Sequence, residues 1–105
     1  MLIILPRDMD WMYNLDIKPT ADKIFKKLAK KNLKQLKIIH KKIHGIRNNP
    51  KHEYKHLHPP LQNFYRVHIN SHFALIFNIN HTDEVVTIYY FGHHDDVYKW
   101  RSMEK

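Results

Sequence analysis

The sequence predicts an α+β fold: a small antiparallel β-sheet with an N-terminal helical hairpin packed on one face, in the order β-α-α-β-β-β. Three observations carry this. Residues 21–46 repeat apolar positions at intervals of three and four, the period of an amphipathic helix. Residues 64–91 hold three runs rich in β-branched and aromatic side chains. The connections between those runs, "NSH" and "NHTDE", are short enough to make an antiparallel meander the natural arrangement.

Each element follows from local chemistry. "WMYNLDI", Trp11 to Ile17, alternates and carries aromatics, so it reads as a first strand. Thr20, after Pro19, is the expected helix N-cap, with Asp22 placed to favour the helix dipole. Ile24 and Leu28 share one face, while Leu36, Ile39, Ile43 and Ile46 form a second stripe. "KKNLK" around Asn32 is the expected break between two antiparallel helices. Gly45 and "RNNP" (Arg47 to Pro50) are read as the end of the second helix. The double proline Pro59-Pro60 excludes helix and central strand there, and the strands then run Phe64–Ile69, Phe73–Ile79 and Val85–Phe91. A hairpin symmetric about Ser71 sets Ile69 opposite Phe73, Val67 opposite Leu75 and Tyr65 opposite Phe77, one apolar face for the helices to cover. Arg66 and His68 then point to the other face, beside Ala74, Ile76 and Asn78.

Composition narrows the function. The 105 residues suit a single domain, 1–105. With no cysteine, disulfides and cysteine-based zinc sites are excluded, and a reducing, cytoplasmic setting is expected. "MLIIL" stops at Pro6-Arg7-Asp8, too short for a signal-peptide core or a membrane span, so no membrane association is expected. A net charge of +8, much of it lysine on the helices, calls for a polyanionic partner or simply solvates those helices.

Ten histidines invite two chemical readings. For a metal, His40 and His44 have i,i+4 spacing, His52, His56 and His58 cluster before the prolines, and "HHDD" (His93 to Asp96) adds carboxylates. None completes a four-ligand pattern, so neither a metal centre nor a cofactor is expected. For acid–base cleavage of RNA, a base must take the 2′-OH proton, an acid must protonate the leaving 5′-oxygen, and a cation must hold the phosphate charge. Histidine serves as either acid or base near neutral pH, arginine clamps phosphate, and tyrosine stacks on a base or donates a proton. Arg66 and His68 on one sheet face, with His94 and Tyr98 in the tail, supply these types. Asp95 and Asp96 beside His94 either orient its imidazole or solvate the turn.

"FYRVHINSHFALIFNI" followed by "VVTIYYFGHHDDVY" resembles the RelE/ParE superfamily of toxins from toxin–antitoxin modules, whose members show a "YRVRVGDYRVIYEI"-like hairpin and a closing "GHRxDVY". The "KxxKKLAKKN…NP…L" layout of the helical half is similar too, so the likeness runs from about Tyr13 to Tyr98. Residues before Tyr13 lie outside it, leaving Met1, Met9 or Met12 as the start. The resemblance implies a small antiparallel sheet carrying a helical hairpin. Its RelE branch implies a nuclease that cuts mRNA in the ribosomal A site, without a metal and by 2′-OH attack.

Carried over by position, the family's basic strand residues fall on Arg66 and His68, the arginine of its "GHR" on His94, and its tyrosine on Tyr98. The arginine of "YRVIY" is Ala74 here. What remains is similar to the superfamily's histidine-dependent members, with His68 and His94 as the acid–base pair, Arg66 as phosphate clamp and Tyr98 as stacking or relay group. His72, His58 and His56 follow as second-line candidates, in that order. Tyr98 has packing of the tail as an equal alternative, and Trp100 is expected to pack.

Lys26, Lys27, Lys30, Lys31 and Lys34 would contact ribosomal RNA. Implied partners are a cognate acidic antitoxin, in a hetero-oligomer, and the ribosome with its mRNA. The alternatives are a non-catalytic, ParE-like inhibitor of DNA gyrase, or an inactive relic that binds only antitoxin or nucleic acid.

Overall fold

The structure, a computed structural model, describes residues 12–103, with side chains to Trp100. The chain runs β1 (Asn14–Ile17), α1 (Pro19–Lys31), α2 (Leu33–Asn48), β2 (Lys55–His56), β3 (Tyr65–Ile69), β4 (Phe73–Asn80) and β5 (Val85–His93). A 3₁₀ turn (His94–Asp96) leads into α3 (Val97–Met103). The expected order stands, with two additions: the short edge strand β2 and the closing helix. Trp11 and Met9 lie outside the described residues.

Helix boundaries show where local signals mislead. Pro19, not Thr20, opens α1: its fixed φ and missing N–H suit the first helical position, and Lys18 takes the N-cap place without a side-chain bond. Gly45 does not end α2. It lies inside the helix, and Asn49 is the C-cap, its N–H donating to the Gly45 and Ile46 carbonyls. The break at Asn32 is where expected. Its N–H donates to the Leu28 carbonyl (2.8 Å), while its Oδ1 accepts from the Gln35 N–H (3.2 Å). One residue thus closes α1 and caps α2.

The five strands form one sheet in the order β1-β5-β4-β3-β2. Its central part is the expected antiparallel meander, and the hairpin register is the symmetric one: Ile69 pairs with Phe73, Val67 with Leu75, Tyr65 with Phe77. Asn70 turns that hairpin at φ 60°, a conformation asparagine tolerates, and its side chain donates to the Oε1 of the buried Gln35 (2.8 Å). The sheet is mixed rather than wholly antiparallel, because β1 lies parallel to β5. Arg47 anchors that edge: its Nε donates to the Tyr13 carbonyl (2.7 Å), and its own carbonyl accepts from the Tyr13 N–H (3.2 Å).

Both faces of the sheet are covered. On one, Phe25, Leu36, Ile39, Ile43 and Ile46 of the helical hairpin pack on Ile69, Leu75, Phe77, Val86, Ile88 and Phe91. On the other, Val97 and Trp100 of α3 join Leu57 and Leu61 over Ala74 and Ile76. Trp100 is 1% exposed, against Phe64, Tyr89 and Tyr90. The tail is therefore a packed third layer, as expected for Trp100, and it walls the face that carries Arg66.

Candidate active site

Strand parity puts Arg66 and His68 on the face opposite the helical hairpin, opposite Ile76 and Ala74 respectively. The fifth strand needs one further device. Ile76 pairs with Tyr90 but Phe77 pairs with Ile88, so Tyr89 is an extra residue, a β-bulge. The bulge shifts the alternation by one. Val86 and Ile88 face the helices before it, and Phe91 faces them after it. Without that shift the strand would deliver His94 to the opposite side.

Gly92 is required at the strand end. It pairs with Ala74, and the Tyr90 ring folds across it, so an added Cβ would lie 2.5 Å from Tyr90 Oη and 2.8 Å from two ring carbons. Tyr90 also stacks on Trp100 (5.6 Å, 17°). Burial pushes the Tyr90 hydroxyl above its ordinary pKa of 10.0, with a smaller push from the Asp96 carboxylate.

The result is an open cleft of about 280 Å³ lined by Arg66, His68, Ala74, His94 and Tyr98, with Leu57, His58, Ser71 and Val97 completing the wall. All four residues read as catalytic from sequence are brought together. Arg66 Nη1 donates to His68 Nε2 at 3.0 Å. Guanidinium can only donate, so this bond requires a lone pair on that nitrogen. His94 Nδ1 lies 3.0 Å from Asp95 Oδ1, the geometry of an imidazole N–H held by a carboxylate. Tyr98 is 41% exposed and accepts the His58 N–H at 2.7 Å, with the His58 ring nearly parallel to it (6.2 Å, 16°).

The second-line candidates separate. His58 joins the cleft wall. His56 pairs with Tyr65, lies against its ring (4.5 Å) and is bonded through Nδ1 to the Gln62 carbonyl (2.8 Å), away from the cleft. His72 stacks on His93 (6.1 Å, 9°), outside the lining residues. Sequence reasoning missed Lys55, which β2 sets directly across from Arg66. Cross-strand partners share a face, so Lys55 adds a cation beside Arg66. Two residues of strand between polar neighbours carry no periodic signal that would have revealed it. The five lysines read as RNA contacts are all exposed, four on α1 and Lys34 in the first turn of α2, in the layer across the sheet from the cleft. Lys26 is also held by Asp22 (3.0 Å).

Five strands with a helical hairpin on one face and a basic, histidine-bearing cleft on the other make up an α+β architecture. Residues 15–98 match the family described as "ParE toxin of type II toxin-antitoxin system, parDE", and the chain belongs to that family, within the RelE/ParE superfamily of toxins from toxin–antitoxin modules. A chain of Methanocaldococcus jannaschii that carries the provisional name toxin RelE4 is 44% identical over 94 residues, covering 90% of this chain and 99% of that one. A double mutant of Escherichia coli toxin RelE in the free state superposes with a TM-score of 0.68 at 21% identity, covering 89% of this chain and 97% of that one. The YoeB–YefM complex of Staphylococcus aureus gives 0.68 at 23% identity, with 78% and 97% covered. At those identities the two structures are similar in fold. Among the described residues no helix is long and apolar enough to cross a membrane.

Proposed function

We propose that the protein is a cytoplasmic, ribosome-dependent mRNA endonuclease that inhibits translation through metal-free acid–base catalysis. The observation that carries this reading is the convergence of Arg66, His68, His94 and Tyr98 on one open cleft. His68 is the base that takes the 2′-OH proton, its Nε2 freed as Arg66 turns from that nitrogen to the phosphate. The 2′-oxygen attacks the adjacent phosphorus, Arg66 holds the charge gathering on the phosphoryl oxygens, and His94 returns a proton to the departing 5′-oxygen. Asp95 orients the His94 ring for that step. Tyr98, exposed and braced by His58, is the stacking platform for a neighbouring base. Lys55 supplies part of the positive charge that Ala74 does not.

The resting partner in this reading is an acidic antitoxin that folds as it binds and masks the basic helices. A groove of about 380 Å³ on α1, lined by Thr20, Ile24, Leu28, Lys23, Lys27 and Lys31, offers apolar surface flanked by lysines, which suits a segment of apolar and acidic residues.

The test is cleavage of ribosome-bound mRNA, with and without chelator. Wild type should cut in both, and His94→Ala and Arg66→Ala should each lose about a hundredfold or more. One observation favours a second reading: Ala74, fully buried, stands where the family's hairpin carries an arginine. If wild type leaves mRNA intact yet inhibits DNA gyrase, the ParE-like, non-catalytic activity is the correct one.

A further inference from the structure

The cleft uses one face of His94, and the other side of the same strand end gathers two more imidazoles. His93 closes β5 and pairs with Phe73, while His72 precedes Phe73 in the hairpin turn. The ladder continues one step further, with the His94 N–H donating to the His72 carbonyl (2.9 Å). Two adjacent strands therefore fix the backbones of His72, His93 and His94 together. Their rings follow: His72 stacks on His93 at 6.1 Å and 9°, and His93 lies 4.6 Å from His94. One nitrogen from each falls within 4.8 Å of the other two, the one such group of three among the described residues.

We propose that His72, His93 and His94 form a binding site for a borderline divalent transition metal, with zinc as the reference ion. Three neutral imidazoles are the donor set that zinc, nickel and copper(II) prefer over magnesium or calcium. A tetrahedral zinc at roughly 2.0–2.1 Å from each nitrogen holds its ligand atoms about 3.3 Å apart, and partly exposed side chains reach that spacing by small rotations. Neither ring nitrogen of His72 has a hydrogen-bond partner among the described residues, and on His94 only Nδ1 does. Asp95 Oδ1 at His94 Nδ1 is the carboxylate that fixes a metal-ligating imidazole with its other nitrogen free. His93 exchanges its long bond from the Asp95 N–H (3.2 Å) for the metal. Water completes the fourth position. Because His94 is shared with the cleft, the metal-bound form withdraws it from RNA, a consequence that rests on the cleavage reading; the binding itself does not.

Zinc alone is the probe, added to the full chain and read by competition with a chromophoric chelator and by imidazole NMR. The expected result is one zinc per chain, with the ring signals of His72, His93 and His94 perturbed. His72→Ala and His93→Ala should each weaken binding about tenfold or more, and Asp95→Asn by roughly 10–100-fold. The helix pair in His40→Ala/His44→Ala should leave affinity unchanged. Ring signals of His40 and His44 shifting instead, or equal affinity in wild type and His72→Ala, would overturn the site. The ring signals are read on wild type, so the site is tested even where a variant fails to fold. Since the readout is metal binding, its failure leaves the nuclease reading standing, and absence of cleavage leaves the metal site standing.

Discussion

Tyr89 decides the phase of the last strand, and His94 depends on it. Strict alternation along the sequence would put residues 86, 88 and 90 on the helix side, but the bulge gives that side to Phe91. Gly92 depends on its neighbour in turn, because the Tyr90 ring occupies the place of a side chain. Gly92→Ala should destabilise the fold by about 1–3 kcal/mol, measured by urea unfolding, since the ring is pinned by Trp100 and cannot swing away. Tyr90, like the partly buried Tyr54, keeps its proton above the ordinary pKa of 10.0 in the folded state. The folded chain then binds more protons than the unfolded one once the pH passes that value, so stability falls as pH rises. Urea midpoints taken between about pH 9 and pH 11 should decline accordingly.

The elements divide into those written in local pattern and those set by tertiary packing. The helix break was legible because Asn32 serves both helices, and Asn32→Ala should cost about 1 kcal/mol in thermal or chemical unfolding. The β3–β4 register was legible because a one-residue slip of β3 would bury Arg66 and His68 and expose Val67 and Ile69. Thr20 and Gly45 misled because Pro19 starts α1 on its own, and because Ile46 anchors one more turn of α2 into the core. The parallel pairing of β1 had no signal in its own four residues; it is set by the return of β5 between β1 and β4. The closing helix was seen only as a tail, yet its tryptophan fills the second core. Trp100→Ala should cost about 3–5 kcal/mol and loosen the wall that carries Tyr98.

For the molecule as a whole, the two faces of the sheet differ in what they present. The helical face carries the lysines and the apolar groove, and the opposite face carries the cleft. Replacing Lys27, Lys30, Lys31 and Lys34 with Ala should weaken ribosome binding and flatten its dependence on salt. A salt titration should show the log–log slope fall by up to about 0.9 for each phosphate that is no longer neutralised. The substitutions should spare the chemistry at the cleft. Arg66 and His68 could be placed from sequence because strand parity fixed their side of the sheet, whereas His94 and Tyr98 came only from the resemblance of the "GHHDDVY" ending, since the bulge at Tyr89 breaks the alternation. His58 was named only as a second-line candidate, Lys55 was missed because a two-residue strand brings it in, and the grouping of His72 with His93 was missed because it depends on the pairing of β4 with β5. The most direct test of the acid–base account is the chemistry of the cut end on ribosome-bound mRNA. Attack by the 2′-OH predicts a 2′,3′-cyclic phosphate on the upstream fragment, formed in the presence of chelator and abolished in His68→Ala. A 3′-hydroxyl end, or a cut that survives loss of His68, would contradict it.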